Sequence, residues 1–304
     1  KRRRTKVINI GGVKIGGKNP VRIQSMTNTQ TSDVKATVRQ ILELEKVGCE
    51  IVRVGVPDFK SAEAIKKIKE KIRTPLVADI HFNPQLAIVS IENGADKIRI
   101  NPGNIKNKES LAKLVRLAKR RKIPIRVGVN SGSLAREILE KYKEKVTAEA
   151  LVESALKSIK FLENLNFYNI ILSLKATDVL TTIEAYKIIS KRVDYPLHLG
   201  VTEAGRAETG IVKSAIGIGV LLLEGIGDTI RVSLSGDPKE EIKIGLEILK
   251  NLKLREGLLM ISCPTCARTK INVEGIERFL ETIIPLKVQK QEKKFGCMGC
   301  TVNG

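Results

Sequence analysis

The sequence predicts an α/β protein with a (β/α)8 TIM barrel followed by a small, cysteine-bearing α+β domain. From residue 21 to about residue 252, short apolar runs alternate with longer segments whose apolar residues recur every three or four positions. This alternation predicts strands joined by crossover helices, and eight such units of this total length fit a closed parallel barrel. A doubly wound open sheet is the competing architecture, but no G-x-G-x-x-G follows the first strand. Four of the five cysteines lie after residue 262, which sets the last part of the chain apart.

The elements of the barrel follow one another in order along the chain. Eight strands are expected at residues 21–26, 50–56, 76–80, 97–100, 125–129, 170–174, 197–201 and 229–234. Eight helices, each with one buried face, are expected at residues 34–47, 60–71, 84–93, 108–121, 148–164, 179–192, 206–224 and 239–252. Ahead of them, residues 5–16 predict a hairpin that turns at Gly11-Gly12, and we expect it to close the bottom of the barrel.

The second domain is predicted from a change of pattern after residue 252. Residues 253–257 are the expected linker, and short strands, one helix at about residues 273–283 and cysteine loops follow them. We therefore expect a substrate-binding barrel at residues 1–254 and a C-terminal cluster domain at residues 255–304.

Composition narrows the classes of function. No apolar run reaches the ~18–20 residues of a membrane helix, and the basic N-terminus has no apolar segment behind it. We therefore expect a cytoplasmic protein with no membrane partner. Closely spaced cysteine pairs in a chain of 304 residues favour metal or redox chemistry over disulfides.

The net charge of +21 raises the possibility of nucleic-acid binding. Most of the excess is lysine spread over amphipathic helices, however, and aromatic residues make up only 3% of the chain, so bases find few stacking platforms. No nucleic-acid partner is expected. The charge fits a lysine-rich surface of the thermophile type, or a field that attracts a polyanionic small molecule or an acidic protein.

Four arginines lie inside predicted strands: Arg53, Arg99, Arg126 and Arg231. A buried guanidinium is unfavourable unless it meets an anion, and each one can bind phosphate through two hydrogen bonds. Together with Lys175 and nearby amide donors, the four side chains suit a diphosphate. The alternative is pairing with barrel carboxylates such as Asp79, Asp178 or Glu203. For any single arginine, pairing with a carboxylate is as good an explanation as phosphate binding. The carboxylates are too few, however, to pair with all four arginines.

Three further side chains near strand ends are candidates for chemistry. Both histidines of the chain, His81 and His198, lie in or at the end of a predicted strand, which favours a functional role. Glu203, just past the seventh strand in H-L-G-V-T-E-A-G, is the best candidate for a general acid or base. Its alternative role is to form an ion pair with Arg231 or Lys175.

The cysteines form two C-x2-C pairs, S-C-P-T-C at Cys263 and Cys266 and G-C-M-G-C at Cys297 and Cys300. Two such pairs supply four thiolates, the ligand set of structural zinc sites and of iron–sulfur clusters alike. The spacing by itself therefore leaves two classes open: a barrel enzyme stapled by zinc and acting on a phosphorylated substrate, and an electron-transfer enzyme.

Seven motifs, in order along the chain, closely resemble the 4-hydroxy-3-methylbut-2-enyl diphosphate synthase family. They are Q-S-M-T-N-T, V-A-D-I-H-F, K-I-R-I-N-P-G-N, H-L-G-V-T-E-A-G, G-I-G-D-T-I-R-V-S-L, S-C-P-T-C and G-C-T-V-N-G. The resemblance covers nearly the whole chain. It implies a barrel followed by a small [4Fe-4S] domain similar to part of sulfite reductase. It also implies that 2-C-methyl-D-erythritol 2,4-cyclodiphosphate is reductively opened and dehydrated with two electrons from flavodoxin or ferredoxin.

The resemblance implies a role for individual barrel residues and for the assembly. Glu203 is the expected catalytic residue. The residues that bind the diphosphate or the carbon skeleton match Arg53, His81, Arg99, Asn101, Arg126, Asn130, Lys175, Thr202 and Ser233. The family is a homodimer in which the cluster domain of one subunit caps the barrel of the other.

The resemblance also implies the cluster ligands. The three cysteine ligands match Cys263, Cys266 and Cys300, and Cys300 is chosen over Cys297 because it belongs to G-C-x-V-N-G. The family's fourth ligand is a glutamate just after N-G. The sequence ends at Gly304, so we expect a truncated chain that lacks this glutamate. Cys297 is additional to the family pattern and is a candidate substitute ligand.

Overall fold

The computed structural model describes residues 1–105, 107–284 and 291–300, and the chain divides into two compact units, Lys1–Leu246 and Glu247–Gly304. The first unit contains a parallel sheet of eight strands, as predicted. They are β3 Arg22–Met26, β4 Ile51–Gly55, β5 Leu76–Asp79, β6 Lys97–Ile100, β7 Ile125–Asn130, β8 Ile170–Lys175, β9 His198–Leu199 and β10 Thr229–Ile230.

The sheet closes into a barrel. Its strand order is β8-β7-β6-β5-β4-β3-β10-β9, with every neighbouring pair parallel. A single bridge between Leu172 of β8 and Leu197 joins the two ends, and the Leu172 amide donates to the Pro196 carbonyl at 2.9 Å. The predicted TIM barrel is therefore confirmed as a nearly closed eight-stranded barrel.

Helices alternate with these strands. They are α1 Val34–Lys46, α2 Phe59–Lys69, α3 Pro84–Glu92, α4 Lys108–Arg121, α5 Arg136–Lys141, α6 Ala148–Asn164, α7 Val179–Ser190, α8 Ala207–Leu223 and α9 Pro238–Asn251. Seven of them begin at a side chain that accepts a hydrogen bond from a first-turn amide, namely Asp33, Asp58, Asn83, Asn107, Thr147, Asp178 and Asp237. Since most of these helices start soon after a strand ends, their positive dipole ends lie at the carboxyl end of the barrel, called here the mouth.

The sequence prediction missed or overextended three kinds of element. The short helix α5 and the two 3-10 turns Pro102–Asn104 and Ser131–Ser133 lie in mouth loops and were not predicted. Strands β9 and β10 are shorter than expected. The predicted eighth strand continued to residue 234, but the Leu234 amide donates to the Glu241 carboxylate at 3.1 Å instead of to a neighbouring strand.

The N-terminal hairpin is confirmed. Strands β1 Ile8–Ile10 and β2 Val13–Ile15 pair antiparallel around Gly11 and Gly12, whose φ angles of 52° and 96° suit the two-residue turn between them. Ile8, Ile10 and Ile15 pack in one apolar cluster with Ile51, Val77 and Ile171 from the strands. The hairpin therefore covers the end of the barrel opposite the mouth.

The described part of the second unit contains the end of α9, a two-stranded parallel sheet and one further helix. Strand β11 Leu258–Ser262 pairs with β12 Lys293–Cys297, and α10 Val273–Ile283 lies between them in sequence. The division at residues 246 and 247 falls inside α9. Within the described parts of the chain, no helix is long and apolar enough to cross a membrane.

Candidate active site

The interior of the barrel is basic. Alternate residues of a strand point to the same face, and in most TIM barrels branched apolar side chains fill the inner positions. Here Lys97, Arg99, Arg126 and Lys175 are buried, and only 11% of the Arg53 side chain and 16% of the Arg231 side chain are exposed. The buried carboxylates of the described chain are Asp79, Glu241 and Asp228, and Asp228 pairs with Arg2 instead. The inner cations therefore outnumber their carboxylate partners.

Asp79 is the centre of one ion-pair cluster. Its Oδ1 accepts from Arg99 Nη1 at 3.1 Å, and its Oδ2 lies 3.6 Å from Arg53 Nε. Burial acts to raise the pKa of Asp79, but the nearby arginines outweigh it and lower the pKa to about 2. Burial lowers the pKa of Arg53 to about 10, although Asp79 opposes that shift. For Arg53 and Arg99, pairing with a barrel carboxylate is thus what the structure shows.

His81 adjoins the same cluster at the end of β5. Its Nε2 lies 3.1 Å from Arg99 Nη1 and 3.8 Å from Asp79 Oδ1, and half of its side chain is exposed. Burial lowers the pKa of His81, and the positive charge of Arg99 lowers it further against the opposing effect of Asp79. A neutral imidazole can accept a hydrogen bond from Arg99 and keep one ring nitrogen for a ligand.

Arg126 forms no salt bridge with another described residue. Its side chain is almost fully buried, and neither its Nε nor its Nη1 makes a hydrogen bond within the described chain. Burial, followed by the like charges of Arg53 and Arg99, lowers the pKa of Arg126 well below the usual value. A desolvated guanidinium without an acceptor is strongly unfavourable, and an anionic ligand would stabilise it.

Lys175 and Lys97 are two further buried cations of the barrel interior. The pKa of each ammonium is lowered well below the usual range, first by burial and then by neighbouring arginines. Lys97 Nζ donates to Gln24 Oε1 at 3.1 Å, whereas Lys175 makes no hydrogen bond with a described residue. Sequence analysis overlooked Lys97. The period of two in K-I-R-I would have found it, because Lys97 and Arg99 must share the inward face of β6.

His198, the second histidine, is fully buried on β9. Its Nδ1 lies 2.8 Å from Thr229 Oγ1, and its Nε2 has no hydrogen-bond partner among the described residues. Burial lowers the pKa of His198 well below its usual value, and Arg126, Lys175 and Lys97 act in the same direction. It is therefore a neutral side chain among cations.

Arg231 is held by Glu241, a residue that sequence analysis did not consider. Arg231 Nη2 donates to Glu241 Oε1 at 3.2 Å and Nε donates to Oε2 at 3.3 Å, while Ser25 Oγ donates to Oε2 at 2.9 Å. In the sequence, Glu241 looks like one of the acidic residues usual in the first turn of a helix. The other two carboxylates suggested as partners of the arginines, Asp178 and Glu203, make different contacts. Asp178 caps the start of α7.

Glu203 lies at the rim of the mouth with an exposed side chain. Its Oε2 accepts from Thr177 Oγ1 at 2.7 Å, and no salt bridge joins it to a described cation. The suggested ion pair with Arg231 or Lys175 is therefore wrong. Its backbone adopts a φ of 52°, a left-handed conformation that is uncommon outside glycine.

Four predicted site residues complete the rim. Asn101 Nδ2 donates to the Ser133 carbonyl at 3.2 Å, and the Asn130 amide, in the orientation that satisfies both of its ends, accepts from Arg99 Nη2 at 3.0 Å. Thr202 and Ser233 are half-buried, and their hydroxyls make no hydrogen bond with described residues. Seven of the ten predicted barrel residues lie at or just beyond the carboxyl ends of strands: His81, Asn101, Asn130, Lys175, Thr202, Glu203 and Ser233. The other three, Arg53, Arg99 and Arg126, lie within β4, β6 and β7, with Arg126 next to the amino end of its strand.

Gly128 makes room for Arg99 within the cluster. A Cβ added at residue 128 would lie 2.3 Å from Arg99 Nε and 2.9 Å from Arg99 Nη2. We expect Gly128→Ala to lower the free energy of unfolding by about 1–3 kcal/mol, the usual cost of overpacking, because Arg99 must leave Asp79. Urea denaturation measures the change. Gly219→Ala is the matched control, since a Cβ there meets nothing within 4 Å; equal stability of the two variants would contradict the prediction.

The second unit brings the two cysteine pairs together. The Cys263 amide donates to the Cys297 carbonyl at 3.2 Å, and the Gly299 amide donates to Cys263 Sγ at 3.1 Å. Hydrogen bonds from the Arg268 backbone and side chain, and then from Thr269, lower the pKa of Cys266. Thiolates stabilised by N–H donors are the ligand type that iron–sulfur clusters use, so the donor set fits such a group. In residues 1–105, 107–284 and 291–300, no three His, Cys, Asp or Glu side chains already converge closely enough to hold a metal ion.

Comparison with known proteins gives a consistent family match. The model of a family described as the GcpE TIM-barrel domain matches residues 5–246. A relative from Caldanaerobacter subterraneus subsp. tengcongensis is 60% identical, over 100% of this chain and 85% of its own length. One from Fusobacterium nucleatum is 56% identical, over 99% of this chain and 85% of its own length. Both are named 4-hydroxy-3-methylbut-2-en-1-yl diphosphate synthase (flavodoxin).

Solved structures support the barrel independently. Dihydropteroate synthase from Stenotrophomonas maltophilia superposes with a TM-score of 0.60 over 82% of this chain and 97% of its own. The sequence identity is 13%, so the likeness concerns the fold alone.

Proposed function

The chain belongs to the GcpE family, and on that premise we propose that it converts 2-C-methyl-D-erythritol 2,4-cyclodiphosphate to (E)-4-hydroxy-3-methylbut-2-enyl diphosphate. This is an oxidoreductase step of non-mevalonate isoprenoid biosynthesis. The observation that carries the proposal is the buried, unpartnered guanidinium of Arg126 among an excess of cations. A diphosphate is the ligand that these side chains lack.

The cations bind the substrate and also favour its opening. When a carbon–oxygen bond of the ring breaks, the oxygen stays on phosphorus and the diphosphate gains negative charge. Arg126 and Lys175, which form no salt bridge with a described carboxylate, stabilise that developing charge without having to reorganise. Arg53 and Arg99 are held in place by Asp79, and Arg231 by Glu241, so the ring of donors is largely preformed.

Glu203 is the proposed group for proton transfer at the departing hydroxyl. Its exposed carboxylate lies at the rim of the mouth, and we expect the carbon skeleton of a cyclic diphosphate bound to the buried cations to project toward this rim. The free Nε2 of His198 and the half-buried hydroxyls of Thr202 and Ser233 offer further polar contacts. Water is excluded from the floor of the site, since the inner side chains are buried.

The electrons require a redox group, and we propose a [4Fe-4S] cluster held by Cys263, Cys266 and Cys300 in the second unit. The hydrogen bonds to Cys263 and Cys266 support this choice. When bound, such a cluster supplies electrons and a Lewis-acidic iron with a replaceable ligand. We further propose flavodoxin as the electron donor, a cytoplasmic location, and a homodimer as the resemblance implies.

Removing the cations that lack carboxylate partners tests the substrate assignment. We expect Arg126→Ala and Lys175→Ala each to weaken binding of the cyclic diphosphate by about 1–3 kcal/mol, the range for charge-assisted hydrogen bonds. Titration calorimetry measures the affinity, and circular dichroism checks the fold of each sample.

Arg116→Ala and Lys119→Ala are the matched controls, because both side chains are exposed on the outer helix α4. They remove the same formal charge without touching the barrel interior. If both Arg126→Ala and Lys175→Ala bind the cyclic diphosphate with unchanged affinity, the assignment of the basic interior as the diphosphate site is wrong.

A further inference from the structure

Thr177 is the one described side chain that forms a hydrogen bond with the carboxylate of Glu203. Its Oγ1 donates to Glu203 Oε2 at 2.7 Å. Thr177 comes two residues after Lys175, the last residue of β8, and is itself exposed at the rim of the mouth. The hydroxyl that contacts the proposed proton-transfer group is therefore carried by the loop that directly follows Lys175.

The loop that carries Thr177 is fixed on both sides. Thr182 Oγ1 accepts from the Ala176 amide at 3.0 Å, and Asp178 Oδ2 accepts from the Thr181 amide at the start of α7. On the other side, the Thr202 amide donates to the Ala176 carbonyl at 3.3 Å, which ties this loop to the segment that carries Glu203. A hydroxyl held by such a loop is a well-defined anchor for the carboxylate.

The remaining carboxylate oxygen is left open. Glu203 Oε1 makes no hydrogen bond with a described residue, and a Cβ added at Gly132, in the loop after β7, would lie 4.0 Å from it. The left-handed backbone of Glu203, with its φ of 52°, is a strained conformation of the kind that persists at functional positions. The backbone and the Thr177 hydroxyl together orient this side chain.

We propose that Thr177 is a positioning residue for Glu203: its hydroxyl holds Oε2 and thereby assigns the transferred proton to Oε1. Oε2 can accept from Thr177 in both protonation states of the carboxyl group, whereas Oε1 is free to carry the proton and face the substrate. The inference rests on the proposed role of Glu203 in proton transfer.

Variants of Thr177 test the inference. Thr177→Val keeps the shape of the side chain and removes the donor, and we expect turnover to fall about tenfold, the equivalent of one hydrogen bond to a charged group. Affinity for the cyclic diphosphate should stay unchanged. Thr177→Ser should restore most of the turnover. Thr209→Val, an exposed threonine of α8, is the matched control and should leave both turnover and affinity unchanged.

A double-mutant cycle separates positioning from a merely structural role. In the Glu203→Gln background, Thr177→Val should have little further effect, because the group it positions can no longer transfer a proton. An undiminished tenfold loss in that background would overturn the inference. If Glu203→Gln lowers turnover but Thr177→Val does not, the positioning role of Thr177 is wrong and the role of Glu203 in proton transfer is retained. If Glu203→Gln does not lower turnover, the role of Glu203 in proton transfer is wrong.

Discussion

Glu203→Gln should lower turnover about 100-fold or more, within the usual range for general acid–base catalysis. The substitution keeps the size of the side chain and can still accept from Thr177, but an amide cannot transfer the proton. Affinity for the cyclic diphosphate should be equal or slightly higher, because a negative charge near a diphosphate is repulsive. Steady-state turnover with reduced flavodoxin and calorimetry on the same preparations measure the two effects.

The control for this variant is Glu208→Gln, an exposed glutamate in the first turn of α8 that should leave turnover unchanged. Iron content must also be equal in both variants, since loss of a redox group would imitate loss of a catalytic proton. Turnover of Glu203→Gln close to that of the unaltered chain would remove the residue from the mechanism and leave it a partner of Thr177.

Loss of any one proposed cluster ligand should abolish activity altogether. We expect Cys263→Ser, Cys266→Ser and Cys300→Ser each to lose iron and sulfide together with turnover, because each removes a thiolate from a small unit stabilised by its metal. Iron and sulfide are measured on anaerobically purified protein. A colourless preparation of the unaltered chain that contains zinc would contradict the proposed cluster and indicate a structural zinc site instead.

Cys297→Ser is the internal control of this series. Cys297 is 6% exposed at the end of β12, and its backbone carbonyl, which the substitution keeps, accepts from the Cys263 amide. We expect this variant to retain most of its iron. If it loses the cluster as completely as the other three, four cysteine ligands become the better description and the choice of Cys300 over Cys297 is wrong.

The strands and helices of the barrel were predictable because their signal is local. Apolar periodicity shows which face of a helix is buried, and short β-type runs between the helical segments predicted strands β3 to β8. The mouth loops escaped prediction: α5 and the 3-10 turns are short segments without an apolar stripe long enough to detect. The ends of β9 and β10 were misplaced because ladder partners, which are distant in sequence, decide where a strand stops.

The candidate site, too, was predicted only in part. Arg53, Arg99, Arg126 and Lys175 were found from the sequence because a cation inside an apolar run is conspicuous. Glu241 was missed, since nothing local shows that a glutamate of α9 folds back onto Arg231. Lys97 was missed although its two-residue spacing from Arg99 was visible, because the prediction weighed strand ends and not strand faces.

The fold class, the family and the excess of positive charge within the strands could all be predicted from the sequence alone, because they follow from pattern and composition. Which cations are neutralised depends on the three-dimensional arrangement of the strands. Asp79 pairs with Arg53 and Arg99, and Glu241 pairs with Arg231, whereas Arg126 and Lys175 form no salt bridge with a described carboxylate. The same holds for Glu203, whose partner proved to be the hydroxyl of Thr177. Pairing energies depend on distance and burial, and both arise only when strands remote in sequence close into one barrel.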